Sequence, residues 1–177
     1  DFLTPLPPHW EVYSQGKQFS EESDGNVERM ENDRTYVIFE REGRGHIEVG
    51  LSQQINQNIE QLSSLRVAAL LRVDSQSIGS CGTAGTECPL MLKITYLDTR
   101  GDPHEWLQGF YAIAESPYSS VCTICEGNPQ HIQIPRSAWY QYASANLIPL
   151  LEARGSSPAT LVSLNVYASG HSFASVL

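Results

Sequence analysis

The sequence predicts an all-β fold: an antiparallel β-sandwich of jelly-roll form, with one or two short helices. Three observations carry that expectation. Apolar and polar residues alternate at period two in about eight to ten short segments, which is the repeat of a half-buried strand. Clusters of turn residues separate the segments, most clearly Asp98-Thr99-Arg100-Gly101-Asp102-Pro103. Helical spacing of apolar residues is scarce, and many strands with little helix define a sandwich or barrel.

The elements follow in chain order. Residues 26–30, 34–40 and 46–50 read as a meander, with turns at 31–33 and at Arg41-Glu42-Gly43-Arg44-Gly45. Residues 57–62 suit one short helical turn. Residues 64–74 read as a long strand with Leu65, Val67, Ala69, Leu71 and Val73 on one face. Residues 90–97 form another, with Leu90, Leu92, Ile94 and Tyr96 on one side and Met91, Lys93 and Thr95 on the other. With residues 105–113 it should close a hairpin around Arg100-Gly101, setting Leu90 opposite Tyr111. Residues 145–152 suit about two helical turns, with Leu147, Leu150 and Leu151 inward and Pro149 in the first turn, where it is tolerated. Residues 159–168 and 171–177 are the closing strands. The apolar ending Ala174-Ser175-Val176-Leu177 suggests a parent chain that continues.

Composition narrows the function class. The chain has 177 residues, enough for one domain with a real core, here assigned to 10–177. Its charged fraction of 18% is low, and Ser, Thr, Gln, Asn and Tyr are abundant, which suits an extracytoplasmic β-protein. Net charge is -9, and lysine occurs only at Lys17 and Lys93, so no basic patch exists for nucleic acid or anionic lipid. No apolar run is long enough to insert in a membrane. The first residue is Asp1, and Thr4-Pro5-Leu6-Pro7-Pro8 makes residues 1–9 a stiff linker, the expected spacer after a cleaved signal or an upstream anchor. No Asn-x-Ser/Thr sequon occurs, which is compatible with bacterial secretion.

The residues in order now show a likeness. Trp10 opens the domain. Ile47-Glu48-Val49-Gly50-Leu51-Ser52-Gln53-Gln54-Ile55 leads into Leu65-Arg66-Val67-Ala68-Ala69-Leu70-Leu71-Arg72-Val73. Ser163-Leu164-Asn165-Val166-Tyr167, followed by Ser169-Gly170-His171, closes the chain. This pattern resembles the galactose-binding-like jelly rolls of carbohydrate-binding modules. The resemblance implies a non-catalytic binding role, sugar contacts from exposed loop aromatics, and a structural calcium. It also suggests the ectodomain of a bacterial surface or membrane-anchored protein. Two cysteine pairs depart from the generic pattern and imply a subgroup with a stapled insertion.

Those pairs are Cys81-Gly-Thr-Ala-Gly-Thr-Glu-Cys88 and Cys122-Thr-Ile-Cys125, with no other cysteine in the chain. The 90–113 hairpin gathers all four at one end. Local bonds, Cys81–Cys88 and Cys122–Cys125, are favoured because each closes its own loop. A Cys₄ zinc site is the rival: Cys122 and Cys125 fit thiolate–zinc spacing, whereas Cys81 and Cys88 do not. Free thiols are the third reading. A redox role for Cys122-Thr-Ile-Cys125 lacks the strand-to-helix setting that activates a thiolate.

Trp139 and Tyr140 follow the loop Pro135-Arg136-Ser137-Ala138 and are the candidate sugar-stacking residues, with Arg136 as the adjacent charge. Trp106, beside Phe110 and Tyr111, is a further candidate. The competing reading is that these aromatics fill the core, where such residues are highly buried on average. Glu21-Glu22-Ser23-Asp24-Gly25-Asn26 offers oxygen ligands for calcium, although a solvated acidic turn explains it as well. No nucleophile elbow, zinc-protease or P-loop motif occurs. The histidines at 9, 46, 104, 131 and 171 have no metal spacing. A glycosidase needs two converging carboxylates, and nothing in the sequence selects Glu48 and Glu105 for that task. The expectation is therefore a binding domain without enzymatic activity or cofactor, whose partner is a glycan or the protein subunits of a surface assembly. A purely structural subunit is the alternative and a hydrolase the remote third.

Overall fold

The structure, a computed structural model, describes residues 9–16, 26–31 and 35–177. Two sheets face each other. The first contains β1 (Trp10–Gly16), β4 (Ile47–Asn58), β10 (Pro158–Gly170), β6 (Leu90–Asp98), β7 (Pro103–Tyr111) and β8 (Ile132–Gln133), in that order across the sheet. The second contains β2 (Asn26–Glu31), β3 (Thr35–Arg41), β11 (Phe173–Val176), β5 (Ala68–Gln76) and β9 (Tyr140–Ala143). All pairings are antiparallel except the short β7–β8 pair. The last two strands clasp the sandwich: β10 pairs with β4 and β6 in one sheet, and β11 with β3 and β5 in the other. The all-β sandwich expected from period-two patterning is the observed architecture.

The core lies between the sheets and takes one face of each central strand. Leu90, Leu92, Ile94 and Tyr96 of β6 are buried, as are Leu71 and Val73 of β5 and Val166 and Ala168 of β10. Phe39 and Phe110 are fully enclosed. Each large side chain so buried contributes roughly 1.5–3 kcal/mol before entropic offsets. Arg41, 3% exposed, donates through Nη1 to the carbonyl of His171 at 2.6 Å, fastening β3 to the β10–β11 crossing.

Several boundaries differ from the sequence reading. The strand expected from residue 64 begins at Ala68. Before it, side chains replace the ladder: Ser144 Oγ accepts from Val67 N–H at 2.9 Å and Asn146 Oδ1 from Leu65 N–H at 3.0 Å. The turn expected at 57–62 is not helical, because β4 runs on to Asn58, paired with β10, and only a tight turn from Ile59 to Leu62 follows. Leu90 faces Phe110 rather than Tyr111. Among the described residues there is one helix, α1 (Leu147–Glu152), capped by Asn146 and carrying Pro149 in its first turn. None is long and apolar enough to cross a membrane.

A third layer covers part of the six-stranded sheet's outer face. Residues 79–89 and 119–131 fold over it and are bonded within themselves: Cys81 to Cys88 and Cys122 to Cys125. No free thiol remains, so no thiolate is present to bind zinc. The two loops are also laced together. Thr123 N–H donates to the Ala84 carbonyl at 2.9 Å, and Cys81 N–H to that of Ser119 at 3.1 Å. Beneath them Met91, Leu107, Tyr111 and Tyr167 form a small second core. The cysteines therefore do more than cap the sandwich's end, because they hold a roof on the sheet face.

Candidate functional site

On a β-strand alternate residues point to opposite faces, so the register of the six-stranded sheet identifies its outward residues. Tyr13 of β1 lies opposite Gly50 of β4, which lies opposite Tyr167 of β10. A side chain at position 50 would crowd the Tyr167 Cβ and the Val166 carbonyl, so glycine gives the two tyrosines their room. Asn165 faces Lys93, Lys93 faces Leu107, and Thr95 faces Glu105. Glu48 stands opposite Ser169.

These residues line a groove of ≈440 Å³ between the bare sheet and the edge of the disulfide roof. Glu48 and Ser169 mark one end, and His104 and Glu105 the other. Lys93, Leu107 and Tyr167 form the floor. The Cys122–Cys125 loop holds Ile124, 75% exposed, at the rim beside Glu126.

Most polar groups in the groove have partners. Glu48 Oε1 accepts from the Tyr13 hydroxyl at 2.7 Å and from the Gln15 amide at 3.0 Å. The Lys93 ammonium is 3.4 Å from Glu105 and 5.9 Å from the centre of the Tyr167 ring. His104 lies between Glu126, 3.0 Å from Nδ1, and Asp98, 3.3 Å from Nε2. One exception is Tyr167. It is 5% exposed, and its hydroxyl makes no hydrogen bond among the described residues. Burial first, then the carboxylates of Glu48 and Glu105, push its ionisation above the ordinary tyrosine range. Tyr13 is raised in the same way, by burial and then by Glu48. Both phenols are therefore neutral and keep their protons for donation.

The aromatics singled out in the sequence lie elsewhere. Trp139 is 46% exposed in an apolar cleft of ≈350 Å³ between the sheets, with Trp10, Tyr36 and Leu70. Its ring meets Tyr36 edge-on at 6.4 Å and carries the Arg72 guanidinium at 5.0 Å. Tyr140 is half-buried on β9 and packs against Phe110, while Arg136 donates through Nε to the Asp74 carbonyl at 2.9 Å. Trp106 is 5% exposed in the core, where its ring is closed to a sugar. Residues 21–25 of the acidic calcium candidate lie outside the described residues. Cys81, Cys88 and His131 approach one another, but both sulfurs are spent in the disulfide.

Sequence reasoning did not select the groove residues Tyr13, Lys93, Ile124 and Tyr167. The available signal was polarity at outward positions of central strands, above all a lysine on β6 in a chain with only two.

The fold and groove define an all-β sandwich with a polar trough walled by a disulfide-bonded layer. No protein-family model matches the chain, and no curated protein matches it. Among solved structures, the agarase AgWH50C is similar at 11% identity and a TM-score of 0.41, over 99% of this chain and 22% of that one. The chain thus spans under a quarter of the agarase's length, and a likeness this weak carries no argument about chemistry.

Proposed function

We propose that this is an extracytoplasmic, non-catalytic carbohydrate-binding domain, and that the groove over the six-stranded sheet holds the glycan. The observation carrying this reading is Tyr167 on the groove floor, 5% exposed, whose hydroxyl makes no hydrogen bond among the described residues. A buried polar group without a partner costs about 1–3 kcal/mol, and a ligand hydroxyl in the groove would recover it. Around it stand acceptors (Glu48, Glu105), a donor (Lys93) and apolar surface (Leu107, Ile124), the mixture that a sugar's hydroxyls and C–H faces need.

Glu48 is level with Ser169 and Glu105 with Thr95 and Ser163, so their backbones are on the order of 20 Å apart along β10. A trough of that length suits an extended chain better than a single ring. Two disulfides and no free cysteine favour an oxidising compartment.

A glycan array on the purified domain, followed by calorimetry, tests the reading. Saturable binding that weakens in Tyr167→Phe is expected, and the absence of saturable binding to any glycan would sink it. The apolar cleft at Trp139 and Leu70 favours a second reading, an accessory subunit that buries this cleft in an assembly. Concentration-dependent oligomerisation abolished by Trp139→Ser would support that reading.

A further inference from the structure

We infer that the groove selects cationic glycans, namely extended chains of amino sugars carrying free ammonium groups; this rests on the groove being the glycan site. The groove brings three carboxylates, Glu48, Glu105 and Glu126, together with a single lysine. Lys93 is already engaged by Glu105 at 3.4 Å. Both hydrogen-bond partners of Glu48 are neutral, the Tyr13 hydroxyl and the Gln15 amide, so no described residue compensates its charge. Of the two histidines in the groove, His46 is bound to Ser169 Oγ at 2.9 Å and His104 lies between Glu126 and Asp98.

A second, independent observation points to a ligand at the same place. Tyr167 lines the groove with Glu48 and Glu105, is 5% exposed, and its hydroxyl makes no hydrogen bond among the described residues. A phenol oxygen accepts a hydrogen bond from an ammonium, and a carboxylate accepts a charge-assisted one. An ammonium on the sugar would therefore satisfy Tyr167 and neutralise Glu48 in one step. A uronate or sulfated sugar would instead meet uncompensated carboxylates on a chain of net charge -9.

The test uses three β-1,4-linked hexamers that share a backbone: glucosamine, N-acetylglucosamine and glucose, titrated calorimetrically into the intact protein. The glucosamine hexamer should bind about tenfold more tightly than the glucose hexamer, the yield of one charge-assisted hydrogen bond. Added salt should shrink that advantage. Glu48→Gln should remove it, Tyr167→Phe should reduce it several-fold, and Glu60→Gln, at an exposed site outside the groove, should leave it intact. Equal affinity for the glucosamine and glucose hexamers overturns the charge selectivity while leaving the carbohydrate-binding role standing. An advantage that survives Glu48→Gln, or is lost in Glu60→Gln, overturns the groove as its origin. Failure of every glycan to bind overturns the proposed function itself.

Discussion

The backbone N–H of Gly109 donates to Nδ1 of His131 at 2.9 Å, and this bond joins the disulfide roof to the sheet beneath it. On the other side of the ring, Nε2 donates to the Gly85 carbonyl at 2.7 Å. Since Gly109 supplies only a donor and Gly85 only an acceptor, the imidazole is held neutral in one tautomer. A side chain at position 109 would collide with Cys88 Sγ and the His131 ring. His131→Ala should therefore cost about 2–4 kcal/mol, through two stranded backbone groups and a cavity. Urea denaturation of the wild type and variant measures the difference.

His131 also predicts a pH dependence. Burial lowers its folded-state pKa, against a smaller upward pull from the Gly85 bond. The unfolded chain, with an imidazole near 6.5, binds the proton more readily. Stability from this group is complete above about pH 6.5 and declines as pH falls toward the lowered folded value. His131→Gln should flatten the stability profile over that window, as followed by thermal melts.

Reduction should act on the groove wall before the sandwich. The Cys81–Cys88 bond closes a loop with a separation of 7 residues and is worth about 2–3 kcal/mol by loop entropy. The Cys122–Cys125 bond spans only 3 residues and contributes less. Its place beside Ile124 makes it the more important of the two for binding. Cys122→Ser with Cys125→Ser should weaken glycan binding more than it lowers the melting temperature. The reverse ranking would show that the loop supports only the fold.

Tyr167→Phe should separate stability from function. Removing a buried hydroxyl without a hydrogen bond should leave stability unchanged or raise it by up to about 1 kcal/mol, while glycan affinity falls. A destabilised variant would mean that the hydroxyl has a structural partner.

Asp98 anchors the β6–β7 turn from its β6 end. Its carboxylate accepts from the N–H groups of Arg100 at 2.8 Å and Asp102 at 3.0 Å, and from the Arg100 guanidinium at 2.9 Å. Desolvation opposes ionisation, but the backbone N–H groups, Arg100 and His104 together hold the carboxyl well below the usual aspartate range. Its contribution is thus present above about pH 3.9, the unfolded value, and is lost as pH falls toward the folded one. Asp98→Asn should lower the melting temperature at neutral pH and lose less than the wild type under acid conditions.

Local chemistry in the sequence determined the sandwich itself. Alternation on β6 sorted inner from outer residues, the Asp98–Asp102 cluster placed the hairpin, and Pro149 marked the first turn of the helix. The nearness of the cysteines within each pair also favoured local bonds, as observed. These features depend on neighbours in the chain, where periodicity and turn preference are direct evidence. The groove depends instead on which strands lie side by side and on where long loops come to rest. Tyr13, Glu48, Tyr167, Lys93 and Glu105 come from five strands, and only the β1-β4-β10-β6-β7 order puts them on one surface. The same dependence explains Trp106, whose side chain falls on the inner face of β7, and Trp139, which opens on a separate cleft. Long-range register decided the candidate site, because a shift of one residue would send every outward side chain inward.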